Sequence, residues 1–432
     1  MVLRTDPVLE LEPVEVALHK VLRAIVPIAE CETVSLEEAH GRVLAQPVYA
    51  VQQLPSQHLS AMDGYAFSSD EVARLARAQS ESPGKEKPLF SLEVKGKSLA
   101  GQPYEAPTDA RFALRIFTGA AVPVGYDTVI PQELVEELSP GVIAFDPARI
   151  RSGANVRQPG EDIAANEMAL SAGRLIGARE LALLAQVGAA SVQVVRRLRV
   201  AVLSTGEEIR NPDQPLASGQ IYDTNRFMLL QLVRQTGAHA IDLGIVGDEP
   251  DHLASRLQHA ATISDMVITS GGVSVGEADH TRQTLARIGQ VNFWRLAIKP
   301  GRPLAFGSIR PPGGAQVPFF GLPGNPVASY VTFMAIVRHA LGRLAGEDTG
   351  QAPMLLRARL ADHTRKPAGR TEYLRCQLTL STDGGWQARI FPSQSAASLK
   401  TLVSADGLAV LPHEAAELQA GDWIDVIPLQ GH

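Results

Sequence analysis

Met266-Val267-Ile268-Thr269-Ser270-Gly271-Gly272-Val273-Ser274-Val275-Gly276-Glu277-Ala278-Asp279-His280-Thr281 runs from an apolar segment into a glycine-rich turn, and the turn ends in a carboxylate and a hydroxyl. The apolar segment reads as a buried strand. Its glycines let backbone N–H groups come close to an anion, and Asp279 offers a ligand for a cation that would neutralise the same anion. Neither the six-residue dinucleotide pattern nor a P-loop lysine followed by Ser or Thr is present. Taken alone, the stretch is as readily a tight turn as a phosphate site.

The flanking sequence supplies a rhythm. A strand at 199–203 ends in Ser204-Thr205-Gly206-Glu207-Glu208, and a helix starts near Asp223-Thr224 and stops at Gly237. A strand at 240–246 ends in Gly247-Asp248, helices fill roughly 250–261 and 280–288, and two more strands lie within 297–306 and 318–326. A long helix over 326–344 closes the unit. Apolar strands alternating with helices of this length predict right-handed crossovers and a parallel sheet covered on both faces. Ligands of such sheets sit outside the strand carboxyl ends. Gly206, Glu207, Glu208, Asp248, the 271–279 loop and the 321–326 turn are therefore expected to converge on one cleft.

Farther out, the 432 residues exceed one ordinary core and predict two to four domains. A formal charge of −6 argues against a general nucleic-acid binder while leaving room for a local basic pocket. Cys31 and Cys376 are the two cysteines and stand far apart, so neither a disulfide framework nor a thiolate metal site is supported. The start of the sequence lacks a basic region followed by an apolar stretch, and no window is apolar enough for a membrane span; the cytoplasm is the expected location.

Residues 14–30 carry apolar positions at helical spacing up to Pro27, which predicts an amphipathic packing helix. Asp63, in Ser60-Ala61-Met62-Asp63-Gly64-Tyr65-Ala66, reads as a turn residue. Residues 75–109 are polar and lose periodicity, which suggests a small β-rich insertion; the region continues to Thr118-Gly119 and the strand-like 128–130. Residues 151–163, with Glu161-Asp162, read as a loop, 177–188 as a short helix and 192–195 as a strand. After a hinge at 345–354 the rest alternates in short strands, an all-β domain with Lys366, Arg370 and Arg375 near its first turn.

Taken in order, these stretches resemble the molybdopterin molybdenumtransferase family, the bacterial MoeA proteins and the gephyrin E-domain. The resemblance rests on SAMDGYA (60–66), Thr118-Gly119, Gly160-Glu161-Asp162, STGEE (204–208), GQIYDTNR (219–226), GGVSVGEADHT (271–281), IKPGRPLAF (298–306), GLPGNP (321–326) and Gly369-Arg370. It implies a multidomain α/β plus β protein. A central three-layer αβα domain (196–345) carries the molybdopterin site. A discontinuous N-terminal domain for linking and dimerisation (1–50 with 151–195) bears a β-rich inserted domain (51–150), and a small β-barrel-like domain (346–432) follows. The implied activity is insertion of molybdenum from molybdate into adenylylated molybdopterin, with Mg²⁺, releasing AMP. The implied assembly is a homodimer with a shared active cleft; the molybdopterin adenylyltransferase and cofactor-accepting enzymes are further partners it suggests.

Carried over residue by residue, Asp63, Asp162, Glu208, Asp248 and Asp279 are the candidate catalytic acids, and Glu208, Asp248 and Asp279 the metal and water ligands. Thr205, Gly206, Ser270, Gly271, Gly272 and Ser274 would cradle the pterin phosphate or adenylate, and Pro323, Gly324, Asn325 and Pro326 would shape the loop beside it. Arg295 and Lys299 are the cations; Lys299, with Arg370 and Ser329, would hold molybdate through charge-assisted hydrogen bonds. Asp63, Thr118 and Asp162 would complete the cleft across the dimer. Two residues depart from the family pattern: Glu207 where Asp is usual, and Arg302 where Lys is common. Two other readings stand beside this one. The αβα domain is equally that of a molybdopterin adenylyltransferase or a nucleotide pyrophosphatase, and a gephyrin-like scaffold keeps the fold without the chemistry. Tungstate in place of molybdate is open as well.

Overall fold

The structure is a computed structural model that describes residues 11–80, 89–272, 278–348, 355–381 and 384–429. The described chain forms two compact units: Pro47–Ser171 with Ala178–Ala190, and the remainder. The chain thus leaves and re-enters the second unit.

The remainder is built on a six-stranded sheet of β1 (Arg199–Thr205), β2 (His239–Val246), β3 (Met266–Ser270), β4 (Gly289–Arg295), β5 (Pro303–Ile309) and β6 (Val317–Leu322), in the order β2-β1-β3-β6-β5-β4. The first four in that order are parallel. Strand alternation sends successive side chains to opposite faces. Val200, Val202, Met266, Ile268, Phe320 and Leu322 therefore pack on one side, with α1 (Asn225–Gln235) and the long helix that starts at Pro326. Ala201, Leu203, Val267 and Phe319 pack on the other with α2 (Pro250–Ile263) and Leu285 of α3 (Ala278–Ile288). This is a three-layer αβα core.

The sheet differs from the fully parallel expectation at one side. β5 and β4 are antiparallel to their neighbours, and β4 was not among the expected strands. Parallel strands need a crossover of about a dozen residues or more. The links 296–302 and 310–316 are too short for that and can close only antiparallel pairs. The long helix also departs from regularity: Pro326–Thr332 and Arg338–Leu344 are joined by a π-helical segment, Phe333–Val337.

Leu356–Leu360, Thr371–Leu380, Trp386–Ile390, Gly407–Leu411 and Trp423–Pro428 close into a five-stranded barrel, because Thr371–Leu380 pairs with both Trp386–Ile390 and Gly407–Leu411. Ala358, Leu374, Cys376, Ala388, Ala409 and Val426 fill it. Ile298–Lys299 adds to the barrel edge in parallel with Thr371–Glu372, which fixes the barrel beside the αβα core. The helix Val14–Ala24 packs on the core through Val14, Ala17 and Val21, and Cys31–Ser35 pairs antiparallel with Ser191–Val195.

The other unit holds a second six-stranded sheet containing Gly64–Phe67, Phe90–Ser98, Ala113–Ile116 and Thr128–Pro131. Its helix Ser69–Ser80 runs into the stretch from 75 that was expected to belong to a β-rich insertion. Asp127, 58 positions away, caps this helix by accepting from Ser69 N at 2.8 Å and Ser69 Oγ at 2.6 Å, and no local sequence pattern records that cap.

Candidate functional site

A cavity of about 760 Å³ opens at the carboxyl ends of β1, β3 and β6, between them and the barrel edge. Its walls follow from the sheet. β1 ends in Thr205-Gly206, β3 in Ser270 followed by Gly271-Gly272, and β6 is followed by Pro323-Gly324-Asn325-Pro326; all line it. Gly271 has φ +90°, and a Cβ there would stand 2.5 Å from the Thr205 carbonyl oxygen. Only glycine lets these two strand ends lie so close. The Gly271 N–H in turn donates to Leu322 O at 3.1 Å.

Asn225, at the first turn of α1, ties the loops together. Its Nδ2 donates to Ser270 Oγ at 2.7 Å and to Gly324 O at 2.8 Å, and the residue is buried. Beneath it Asp223 accepts from Ser204 Oγ at 2.9 Å and Arg226 Nε at 2.8 Å, while Arg226 also reaches Asp242 and Asn211. A buried ion pair is retained where its polar groups are hydrogen-bonded, and here each of the three guanidinium nitrogens has an acceptor.

The acids of the cavity are Glu208 after β1, Asp248 after β2, and Asp223. A Cβ on Gly206, whose φ is +142°, would lie 2.6 Å from Glu208 Oε2, so the absence of a side chain there makes room for that carboxylate. Glu207, the departure from the family Asp, uses its extra methylene to accept from the Asp248 N–H at 3.3 Å. The cations are Lys299, Arg302 and Arg370. Lys299 Nζ and Arg370 Nε meet on one carboxylate, Glu372, at 3.3 and 2.8 Å. Lys366 Nζ donates to the Arg370 carbonyl at 2.7 Å and holds the turn that presents Arg370; burial pushes the Lys366 ammonium down. Gln394 and Ala396 complete the barrel side, and Ala396 O accepts the Val327 N–H at the start of the long helix at 3.0 Å.

Of the residues singled out from sequence, Thr205, Gly206, Glu208, Asp248, Ser270, Gly271, Gly272, Lys299, Pro323, Gly324, Asn325, Pro326 and Arg370 are brought together here. Ser274 and the side chain of Asp279 lie outside the described residues. Arg295 ends β4, the outermost strand beyond β5, and is not a lining residue. Ser329 is fully buried one turn into the long helix, its Oγ without a hydrogen-bond partner among the described residues.

Asp63, Thr118 and Asp162 belong to the other unit. Asp63 Oδ1 accepts from Thr118 N and Oγ1, both at 2.8 Å; the Thr118 N–H first and its hydroxyl second hold the Asp63 carboxyl below its ordinary range. Arg157 bridges Asp162 and Glu161. Among the described residues, no group of three or more His, Cys, Asp or Glu side chains is gathered as a metal site.

Four residues were missed as site residues: Asp223, Asn225, Glu372 and Gln394. Asp223 and Asn225 sit inside the quoted GQIYDTNR stretch, where two polar residues opening a helix at a strand end were the available signal. Glu372 had a fainter one, a carboxylate two residues after Arg370 at the start of the strand Thr371–Leu380.

Three known domain families match the chain: the MoeA N-terminal region (domain I and II) over 12–188, the "Probable molybdopterin binding domain" over 201–343, and the MoeA C-terminal region (domain IV) over 357–429. The molybdopterin molybdenumtransferase of Haemophilus influenzae is 36% identical over 95% of this chain and 97% of its own length. That of Nostoc sp. is 36% identical over 93% and 89%. The solved molybdopterin biosynthesis MoeA protein of Pyrococcus horikoshii superposes with a TM-score of 0.79 over 97% of this chain and 100% of that one; at 24% identity it speaks for the fold. On the matched length, the ordered domains and the shared fold, the chain belongs to the molybdopterin molybdenumtransferase family.

Proposed function

We propose that this protein is the transferase of molybdenum cofactor biosynthesis that inserts molybdenum from molybdate into adenylylated molybdopterin and releases AMP. The observation that carries the reading is the division of charge in one 760 Å³ cavity: carboxylates on the loops after β1 and β2, and cations on the barrel side. A substrate with a phosphoanhydride and an incoming oxyanion needs both. The family relationship supports the transferase activity itself.

In this reading the Gly271-Gly272 turn holds the pterin phosphate, its Gly271 N–H tied back to Leu322 O so that the turn stays open toward the cavity, with Asn225 keeping that loop and the 323–326 turn in register. Lys299 and Arg370 receive molybdate. Glu208 and Asp248 face the cavity with oxygen donors, a set that suits Mg²⁺, which takes one or two carboxylates alongside substrate phosphates. Together with Asp279 they would hold it, and the ion would supply neutralising charge to the phosphate oxygens when bound. The four-domain division, a homodimer completed by Asp63, Thr118 and Asp162 across subunits, and a cytoplasmic location belong to the same proposal. Among the described residues, no helix is long and apolar enough to cross a membrane.

The test offers the protein two starting mixtures. Preformed adenylylated molybdopterin with Mg²⁺ and molybdate is expected to yield AMP and molybdenum cofactor. Formation of adenylylated pterin from molybdopterin and Mg-ATP would instead identify an adenylyltransferase and overturn the proposal.

A further inference from the structure

Glu372 is 2% exposed, yet it is a carboxylate, the second residue of the barrel strand Thr371–Leu380, whose first six residues are all buried. A carboxylate taken out of water to that extent is kept charged only by close, well-aimed cations. It has two, and they come from different parts of the fold. Lys299 lies on the segment leaving the αβα sheet, and Arg370 on the turn entering the barrel. Each uses a separate oxygen: Lys299 Nζ is 3.3 Å from Oε2 and Arg370 Nε 2.8 Å from Oε1. The backbones agree with the side chains, since Lys299 and Glu372 are register partners and the Thr371 N–H donates to Ala297 O at 2.8 Å.

The two cations are not closed off by this contact. Lys299 is 45% exposed and lines the cavity, as Arg370 does. An ammonium has three donors and a guanidinium five. Among the described residues one donor of each engages Glu372, and both side chains line the cavity. Within this trio two positive charges and one buried negative charge leave a single net positive charge, beside Arg302, for a tetrahedral dianion.

We infer that Glu372 is a positioning and charge-setting residue of the oxyanion site, an inference that rests on the assignment of molybdate to Lys299 and Arg370. It aims both cations from behind, and its own charge weakens their grip on the oxyanion. Molybdate is thereby bound loosely enough to pass to the pterin. Without the carboxylate the same two cations would hold a dianion as a trap.

The experiment is calorimetric titration of sodium molybdate into the full-length protein, with steady-state AMP release measured on the same variants. Glu372→Gln is expected to tighten molybdate binding about tenfold, the size of effect one charge has on another within ~4–6 Å. It is expected to lower KM for molybdate and kcat together. Glu372→Asp keeps the charge and is expected to stay within about threefold of the unmodified Kd, by the same charge argument; it decides the question should the Gln variant fail to fold, which thermal unfolding reports. Weaker or unchanged molybdate binding in folded Glu372→Gln, or a loss of more than about tenfold in Glu372→Asp, would overturn the inference. Lys299→Ala and Arg370→Ala separate the two levels. If both leave molybdate affinity unchanged, the oxyanion assignment itself fails; if both weaken it while Glu372→Gln does not tighten it, only the role of Glu372 fails.

Discussion

Replacing Asn225 with alanine removes one amide group that two loops share. Its Nδ2 donates to Ser270 Oγ at 2.7 Å and Gly324 O at 2.8 Å, in a position 6% exposed to solvent. Neither acceptor gains water by the substitution alone, and a buried acceptor left unmade costs about 1–3 kcal/mol. Ser270 Oγ can turn to another partner, whereas the Gly324 carbonyl is fixed in its turn, so about 2 kcal/mol is the working figure. The loss falls on the local opening of the glycine loop, where the Gly271 N–H bonds to Leu322 O. About 2 kcal/mol corresponds to a fall of roughly 30-fold in hydrogen-exchange protection of that amide. Exchange of the peptide spanning Ser270 and Gly271 is the assay, with the barrel strands as an internal reference expected to stay unchanged. Protection within about twofold of the unmodified protein would refute the claim that Asn225 latches the two loops.

Other outcomes follow from neighbouring geometry. Arg226→Met leaves Asp223 buried without its cation and is expected to cost about 3–5 kcal/mol, seen as a large drop in thermal midpoint; a shift of a degree or so would contradict the network. Gly271→Ala drives a Cβ to 2.5 Å from Thr205 O at a φ of +90° and is expected to cost roughly 1–3 kcal/mol, with exchange at the ends of β1 and β3 accelerated first. Asp63 has its folded pKa below the ordinary 3.8, chiefly through the Thr118 N–H and then the hydroxyl. The stability it contributes is therefore present above that ordinary value and lost as pH falls through the lowered one. Thr118→Val keeps the N–H and removes the hydroxyl, so the Asp63 midpoint, followed by carboxyl NMR, is expected to rise part of the way back; an unmoved midpoint would remove the hydroxyl from the account.

The αβα core was legible because its signal is local. Apolar runs such as Val200–Leu203 and Met266–Ile268, each followed by a glycine turn, give strand, turn and helix without knowledge of distant residues. The same logic placed the loops after β1, β3 and β6 at one end of the sheet. What it could not supply is strand direction on the β5 and β4 side, which depends on link length once β4 is known to exist. Nor could it supply contacts made across long separations. Asp127 caps a helix that begins at Ser69, Asn225 reaches Ser270 and Gly324, and Glu372 reaches Lys299. Arg295, expected as a site cation from the family resemblance, ends the outermost strand of the sheet and is not among the residues that line the cavity.

In the proposed function the charge-divided cavity exchanges AMP for molybdenum on one substrate. The most direct test counts AMP released against molybdenum retained on the pterin when preformed adenylylated molybdopterin, Mg²⁺ and a limiting series of molybdate are supplied. One AMP is expected for each molybdenum incorporated, with release ceasing when molybdate is exhausted. AMP released at the same rate with no molybdate present would make the protein a pyrophosphatase and contradict it.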